Sequence, residues 1–222
     1  MWEGRFPLIS RDGVDSLQFN RVEVLECAEI FEGQPYIEGQ AREYAFKQNA
    51  ADAGILHLAM HAFLDDVNPL YSRLAFNLEG EGKEGEDELL YAYELYNTRL
   101  NADLAILSAC NTGAGRVAKG EGVMSLSHAF KYAGCPNVVL NYWPANDKSA
   151  KDLVVSFARH LKDGKGKSEA LNEARKAYLQ SAAPSDAHPY FWGGLTLIGD
   201  DEPVMASSGN KGWIIGLVVC QS

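Results

Sequence analysis

The sequence predicts an α/β fold in which a mostly parallel sheet is covered by helices. Three observations carry this. Apolar runs of the kind buried on both faces of a sheet occur at 55–60, 103–109 and 138–143. Segments with apolar residues at helical spacing stand between and after them. The alternation of the two patterns is the mark of a sheet wound with crossover helices. A chain of 222 residues fits one large domain, or a compact domain with a tail.

The elements follow in order. Residues 17–32 read as a helix with Val22, Leu25, Ala28 and Phe31 on one face and Gly33 to end it. Pro35 to Ile37 is a short strand, and 40–50 a second helix with Ala41, Tyr44 and Ala45 inward. The run Ile55 to Met60 is a buried strand that stops at His61, and Leu74 to Phe76 is a further short strand. Helical pieces are expected near 88–99. The run Asp103 to Ala109 is the clearest core strand and ends at Cys110, before a stretch containing Gly113, Gly115, Gly120 and Gly122. Helix 122–133 presents Val123, Leu126, Phe130 and Ala133, and Gly134 closes it. Val138 to Trp143 is the next strand, stopped by Pro144. Helices 147–162 and 168–180 follow, the second with Ser168 as N-cap, and Phe191 to Ile198 is the last core strand. Residues 200–211 read as a flexible polar tail. The apolar run Trp213 to Cys220 fits a final strand, a docking segment or the start of a membrane helix; eight residues of helix reach about 12 Å, too short to span a bilayer.

Composition excludes several functions. Apolar residues make up 46% and charged residues 23%, ordinary values for a globular protein, and the net charge is −10. That surface repels a nucleic-acid backbone, and no basic stripe offsets it. Much of the acidity is local: Glu79, Glu81, Glu84, Glu86, Asp87 and Glu88 face one base, Lys83, in a Gly-containing loop. Cys27, Cys110, Cys135 and Cys220 are scattered without a CxxC pair, which reads as reduced thiols of a cytoplasmic protein. No secretory signal is visible at the N-terminus.

His61 and Cys110 are the candidate chemical pair, because each stands just past the end of an apolar strand, where parallel sheets bind ligands. Neighbouring strands would bring the two together across 49 positions. A thiol is only a few per cent thiolate at neutral pH, and an imidazole can take its proton during attack and return it to a leaving amine. The amides of Cys110 and of Ala62, next after the His, are natural oxyanion donors. The plain alternative is a Cys that packs as a small hydrophobe and a structural His. Ser108 shares a strand face with Cys110 and either orients the site or packs in the core. His57 and His61 are spaced H-x-x-x-H, but on a strand they stand about 13 Å apart, and Leu58 replaces the glutamate of a zincin; no metal site is read here. Residues 115–121 imitate a phosphate loop but carry Glu121 in place of its lysine. His128 and His160 stand in helices and read as structural or solvated.

Several segments resemble one family. Leu56-His57-Leu58-Ala59-Met60-His61 is similar to the LHLATHG segment of CHAT domains, caspase-like domains associated with tetratricopeptide repeats. Leu107 to Gly113, followed by Gly120-Glu121-Gly122, resembles their LSACNTG…GEG segment. Trp143 to Asp147, His188 to Trp192 and Leu197 to Asp200 extend the likeness, which runs from about residue 18 to 200. The resemblance implies a three-layer α/β/α sandwich of caspase type, with His61 as general acid/base and Cys110 as nucleophile of a cysteine endopeptidase that uses no metal or organic cofactor. It also implies that the segment around Asn141, Trp143 and Asp147 helps form the substrate pocket. Asp147 suits either a basic preference or the N-cap or first turn of helix 147–162, and Asp65, in the loop after His61, either contacts substrate or is solvated. Glu94 and Glu121 stand at family-like positions and are assigned structural roles.

Three departures qualify the likeness. The family has Gly after the catalytic His; the methyl of Ala62 is expected to crowd an oxyanion hole or exclude a positive φ. Residues 1–17 form an atypical segment ahead of the domain at 18–200, so the sheet is expected to lack an N-terminal edge or to belong to a split protein. Residues 201–222 make a polar tail with a short apolar end, and the regulatory tetratricopeptide repeats are expected to be absent or on another chain. The expected partner is therefore a protein or peptide substrate, with membrane contact only if 213–222 begins a helix. Family ties to bacterial defence and regulated cell death belong to the same implication. The rival expectation is a caspase-like module that binds its partner without cutting it.

Overall fold

The structure, a computed structural model, describes residues 19–77, 85–108, 121–143, 146–204 and 215–218. Its centre is a sheet built from β1 (Gln34–Ile37), β2 (Ile55–Ala59), β6 (Leu104–Leu107), β7 (Asn137–Asn141), β8 (Leu195–Ile198) and β9 (Ile215–Val218), in the order β1-β9-β2-β6-β7-β8. Every pairing is parallel except β7 with β8. The four-residue runs of β2 and β6 pair without a bulge, Ile55 with Leu104 through Leu58 with Leu107. A second sheet, β3 (His61–Phe63), β4 (Arg73–Ala75) and β5 (Leu89–Tyr91), is antiparallel.

Alternation along the central strands creates two cores. Leu56, Leu58, Ala105, Leu107, Val138 and Leu140 face a core shared with Phe46 of α2 (Glu43–Asn49), Leu95 of α3 (Ala92–Leu95), Phe130 of α4 (Glu121–Ala133) and the inner side of the small sheet. Ile55, Leu104, Ile106 and Val139 face the other core, with Phe31 of α1 (Asn20–Phe31), Phe157 of α5 (Asp147–Lys162) and Leu171 of α6 (Lys167–Ser181). This is a three-layer α/β/α arrangement with a mostly parallel sheet, as the sequence predicts.

The differences from sequence expectation have physical causes. On α1, Val22 and Leu25 are exposed at 44% and 40%, while Glu23, Val24 and Cys27 are buried. The helix is turned toward the sheet by Glu23, whose carboxylate reaches His57. Residues 88–99, read as helical, begin with β5 before α3. Residues 189–191 form a 3-10 turn, so the last expected strand is confined to Leu195–Ile198. Ser168 does not cap α6; Gly166 precedes the helix and the Ser168 amide donates to Asp201 at 2.6 Å. Asn146, not Asp147, caps α5, accepting from the Ser149 amide at 3.3 Å. Residues 200–203, expected to be part of a flexible tail, are held down by fully buried Lys167, which donates to Asp200 at 3.0 Å and to the Glu202 carbonyl at 2.6 Å. Residues 215–218 form β9, a strand between β1 and β2. No helix among the described residues is long and apolar enough to cross a membrane. Gly134 does close α4, at φ 111°, where a β-carbon would overlap the Leu100 carbonyl.

Candidate active site

Parallel strands β2, β6 and β7 lie side by side and end on one edge of the sheet. Each leads into a segment singled out in the sequence. His61 follows β2 after one residue, Cys110 follows the end of β6 by three, and Asn141 closes β7. Cys110 and the glycine-rich stretch after it lie outside the described residues, as does Pro144.

His61 opens β3, where it is 2% exposed and paired with Ala75. The chain leaves β2 at Met60 and turns directly into the small sheet, so the imidazole stands at the junction of the two sheets. Ala62 faces the other way: its methyl belongs to the α4-side core, with Leu74 opposite it. Its φ is not positive, so the expected conflict between a β-carbon and this backbone does not arise. The methyl is buried on the opposite face of β3 from His61.

The substrate-segment residues are spread along the β7 end of this edge. Asn141 is buried, and its Nδ2 has no hydrogen-bond partner among the described residues. Trp143 is half-buried and donates from Nε1 to the Tyr190 carbonyl at 2.8 Å. Its ring lies against Gly194, where a β-carbon would come within 3.0 Å of Cε2. Asp147 is half-buried in the first turn of α5, where a carboxylate favours the helix dipole. Asp65 is taken up in shaping the loop after β3: its Oδ1 accepts from the amides of Val67 and Asn68 at 2.9 and 2.8 Å.

The described thiols are unsuited to nucleophilic work. Burial raises the Cys27 thiol well above its ordinary value, with the Glu23 charge adding to the effect, and burial pushes Cys135 up to about 12. Both are free and buried.

Two arrangements were not foreseen from sequence. Beneath the sheet edge, His57 Nε2 lies 2.7 Å from Glu23 Oε1 and 3.4 Å from Ser108 Oγ, all three residues being buried. This ties α1, β2 and the end of β6 together two residues before Cys110. No spacing announces it, since Glu23 and His57 stand 34 positions apart. On the small sheet, Phe63, Arg73 and Tyr91 stand in one cross-strand row. Strands of three residues carry too little alternation to announce it. Glu94 has the structural role expected, accepting from the Tyr91 amide at 2.9 Å and pairing with Lys47 at 3.3 Å. A cleft of about 650 Å³ beside that pair is lined by Lys47, Ala51, Glu94, Asn97, Thr98 and Arg99, and holds none of the candidate catalytic residues.

Comparison with known proteins identifies a family. The family model described as CHAT domain matches residues 9–200. Tetratricopeptide repeat protein 28 of Mus musculus is 38% identical over 113 residues, covering 51% of this chain and 4% of that protein. Tetratricopeptide repeat protein 28 of Homo sapiens is 26% identical over 208 residues, covering 81% of this chain and 8% of that protein. The chain thus spans less than a tenth of the length of these curated relatives.

Proposed function

The chain belongs to the CHAT domain family, and from that premise we propose that this caspase-like domain is a cysteine endopeptidase acting on a protein partner. One observation carries the reading. Paired residues of β2 and β6 differ by 49 positions throughout, from Ile55 with Leu104 to Leu58 with Leu107, and 49 positions also separate His61 from Cys110. Adjacent parallel strands with that register end in step, Leu58 beside Leu107, and His61 and Cys110 each stand three positions further along the chain.

In this reading the Cys110 sulfur attacks the carbonyl carbon of the scissile amide while His61 takes the thiol proton. The oxyanion is held by the amides of Ala62 and Cys110. When the C–N bond breaks, His61 passes its proton to the departing amine and leaves an acyl-thioester. A water, deprotonated by His61, then hydrolyses the thioester and frees the thiol. Asn141, Trp143 and Asp147 contribute to the pocket beside the reacting carbonyl. A tetratricopeptide repeat module, suggested by the names of the relatives, is the proposed partner that presents the substrate or regulates the site.

A thiol-directed peptide acyloxymethyl ketone tests this. Labelling is expected in the wild type, absent in Cys110→Ala, and reduced at least ~100-fold in His61→Ala, the loss typical of a general acid/base. Equal labelling of the three proteins, mapped by mass spectrometry to other cysteines, would overturn the assignment.

A further inference from the structure

The outer face of the small antiparallel sheet carries more than His61. Side chains opposite one another in register share a face, and residues two apart on a strand share it too. His61, Ala75 and Leu89 therefore form one row, and Phe63, Arg73 and Tyr91 the next, while Ala62, Leu74 and Leu90 point into the core. The Arg73 guanidinium lies 5.2 Å from the Phe63 ring centre and 5.7 Å from that of Tyr91. Tyr93 stacks on Tyr91 at 5.1 Å, and Tyr71 meets Tyr93 edge-on at 5.9 Å. Tyr71 and Tyr93 are 42% and 43% exposed, so the row opens to solvent through an aromatic rim.

Among the described residues Arg73 is held there without a counter-ion. No carboxylate among the described residues forms an ion pair with it, in a chain whose net charge is −10 and whose lysines are mostly paired. Its hydrogen bond to the Tyr71 carbonyl is long, 3.4 Å, and its buried Nε–H has no acceptor among the described residues. The described chain leaves β4 at Ala75 and enters β5 at Leu89, the opposite end of the pair from Arg73 and Tyr91. The aromatic rings fix the plane of the guanidinium, which leaves it arranged to receive a planar, bidentate anion.

We propose that Arg73 and the rings around it form a subsite for an acidic side chain of an extended peptide. The proposal rests on the reading of His61 as part of the catalytic pair and adds the substrate class. One strand row separates Arg73 from His61, about 7 Å, or two residues of extended chain. The carboxylate recognised is thus about two residues from the scissile bond, distinct from the pocket near Asn141 and Trp143. The tyrosines cover the apolar stems of that residue and its neighbours.

The test is a set of tetrapeptide acyloxymethyl ketones in which Glu or Gln occupies each position in turn. The wild type is expected to be labelled roughly ten- to a hundredfold faster by the Glu probe at one position only, two residues from the reactive carbonyl, the size of a charge-assisted contact. Arg73→Gln should lose that preference and keep its rate with the Gln probe. Arg73→Lys should retain part of the preference, and Lys176→Gln, an exposed and distant charge change, all of it. Absence of a Glu preference, or one that survives Arg73→Gln in a protein with an unchanged melting temperature, would overturn the subsite. If no probe labels Cys110, the peptidase reading fails, and the subsite is judged separately. Anisotropy of the same sequences as unreactive fluorescein peptides on Cys110→Ala, with and without Arg73→Gln, then decides it: an Arg73-dependent Glu preference supports it, and equal affinities overturn it.

Discussion

His61 and Ala62 are adjacent in the chain and face opposite sides of β3, one toward the sheet edge and the other into the α4-side core. A strand reverses its side chains at every step, so a substitution that looks intrusive beside a candidate catalytic residue lands in packing instead. Glu43 shows the same sensitivity to placement. It is buried, its amide donates to Glu88 at 2.8 Å, and its carboxylate meets Lys47 at 2.6 Å. Burial raises Glu43 from 4.5 to about 7; Lys47 opposes that rise, and the neighbouring charges of Glu86 and Glu94 reinforce it. Lys47 feels burial too, but its three carboxylates outweigh it and hold the ammonium above the ordinary lysine range. For an acid raised on folding, the native state binds more protons than the unfolded chain across the interval between the two values, so stability falls as pH climbs through it. Glu43→Gln should remove that slope. Its stability relative to wild type, measured by urea unfolding, should rise between pH 4.5 and 7.5 by up to about 3 kcal/mol. A pH-independent difference would mean that folding leaves the Glu43 carboxyl titrating as it does in the unfolded chain.

At the scale of elements, β9 joins two parts of the sheet that otherwise do not touch. Gly216 pairs with Pro35 on one side and His57 on the other, and β1 has no other partner strand among the described residues. Gly216→Pro removes a backbone donor and inserts a ring into a central strand, a change tolerated essentially only at sheet edges. It should cost about 3 kcal/mol or more and speed amide exchange in β1 and α1 before β6 and β7, as read by hydrogen–deuterium exchange; unchanged protection of β1 would show that β9 does not hold it. Sequence reading found β2, β6 and β7 because strands buried on both faces are mostly apolar. It found α4 and α5 because their apolar faces repeat at helical spacing. It misjudged the face of α1, since Glu23 is buried by its contact with His57, which lies 34 positions away. Of the small sheet it found only β4, as the run Leu74 to Phe76, because three-residue strands have no measurable period. For β9 the apolar run was visible, but its neighbours are set by contacts nearly the whole chain apart.

At the scale of the molecule, the candidate site was legible as two motifs with a fixed spacing, whereas the acidic-peptide face depends on a sheet that only the fold assembles. The two cores press on opposite faces of the same strands: Leu107 and Val138 on one side, Ile106 and Val139 on the other, from neighbouring positions of β6 and β7. Neither core can open without exposing the back of the strands that wall the other. Phe130 on α4 and Phe157 on α5 are both fully buried, one in each core. Phe130→Ala and Phe157→Ala should each cost roughly 3–5 kcal/mol. Because the sheet is shared, each should lower one common calorimetric transition, with agreement between the calorimetric and van't Hoff enthalpies. A variant that splits the endotherm, leaving one half at the wild-type temperature, would show that the layers unfold separately. The register between β2 and β6, on which the proposed pairing of His61 with Cys110 rests, would then depend on one layer alone.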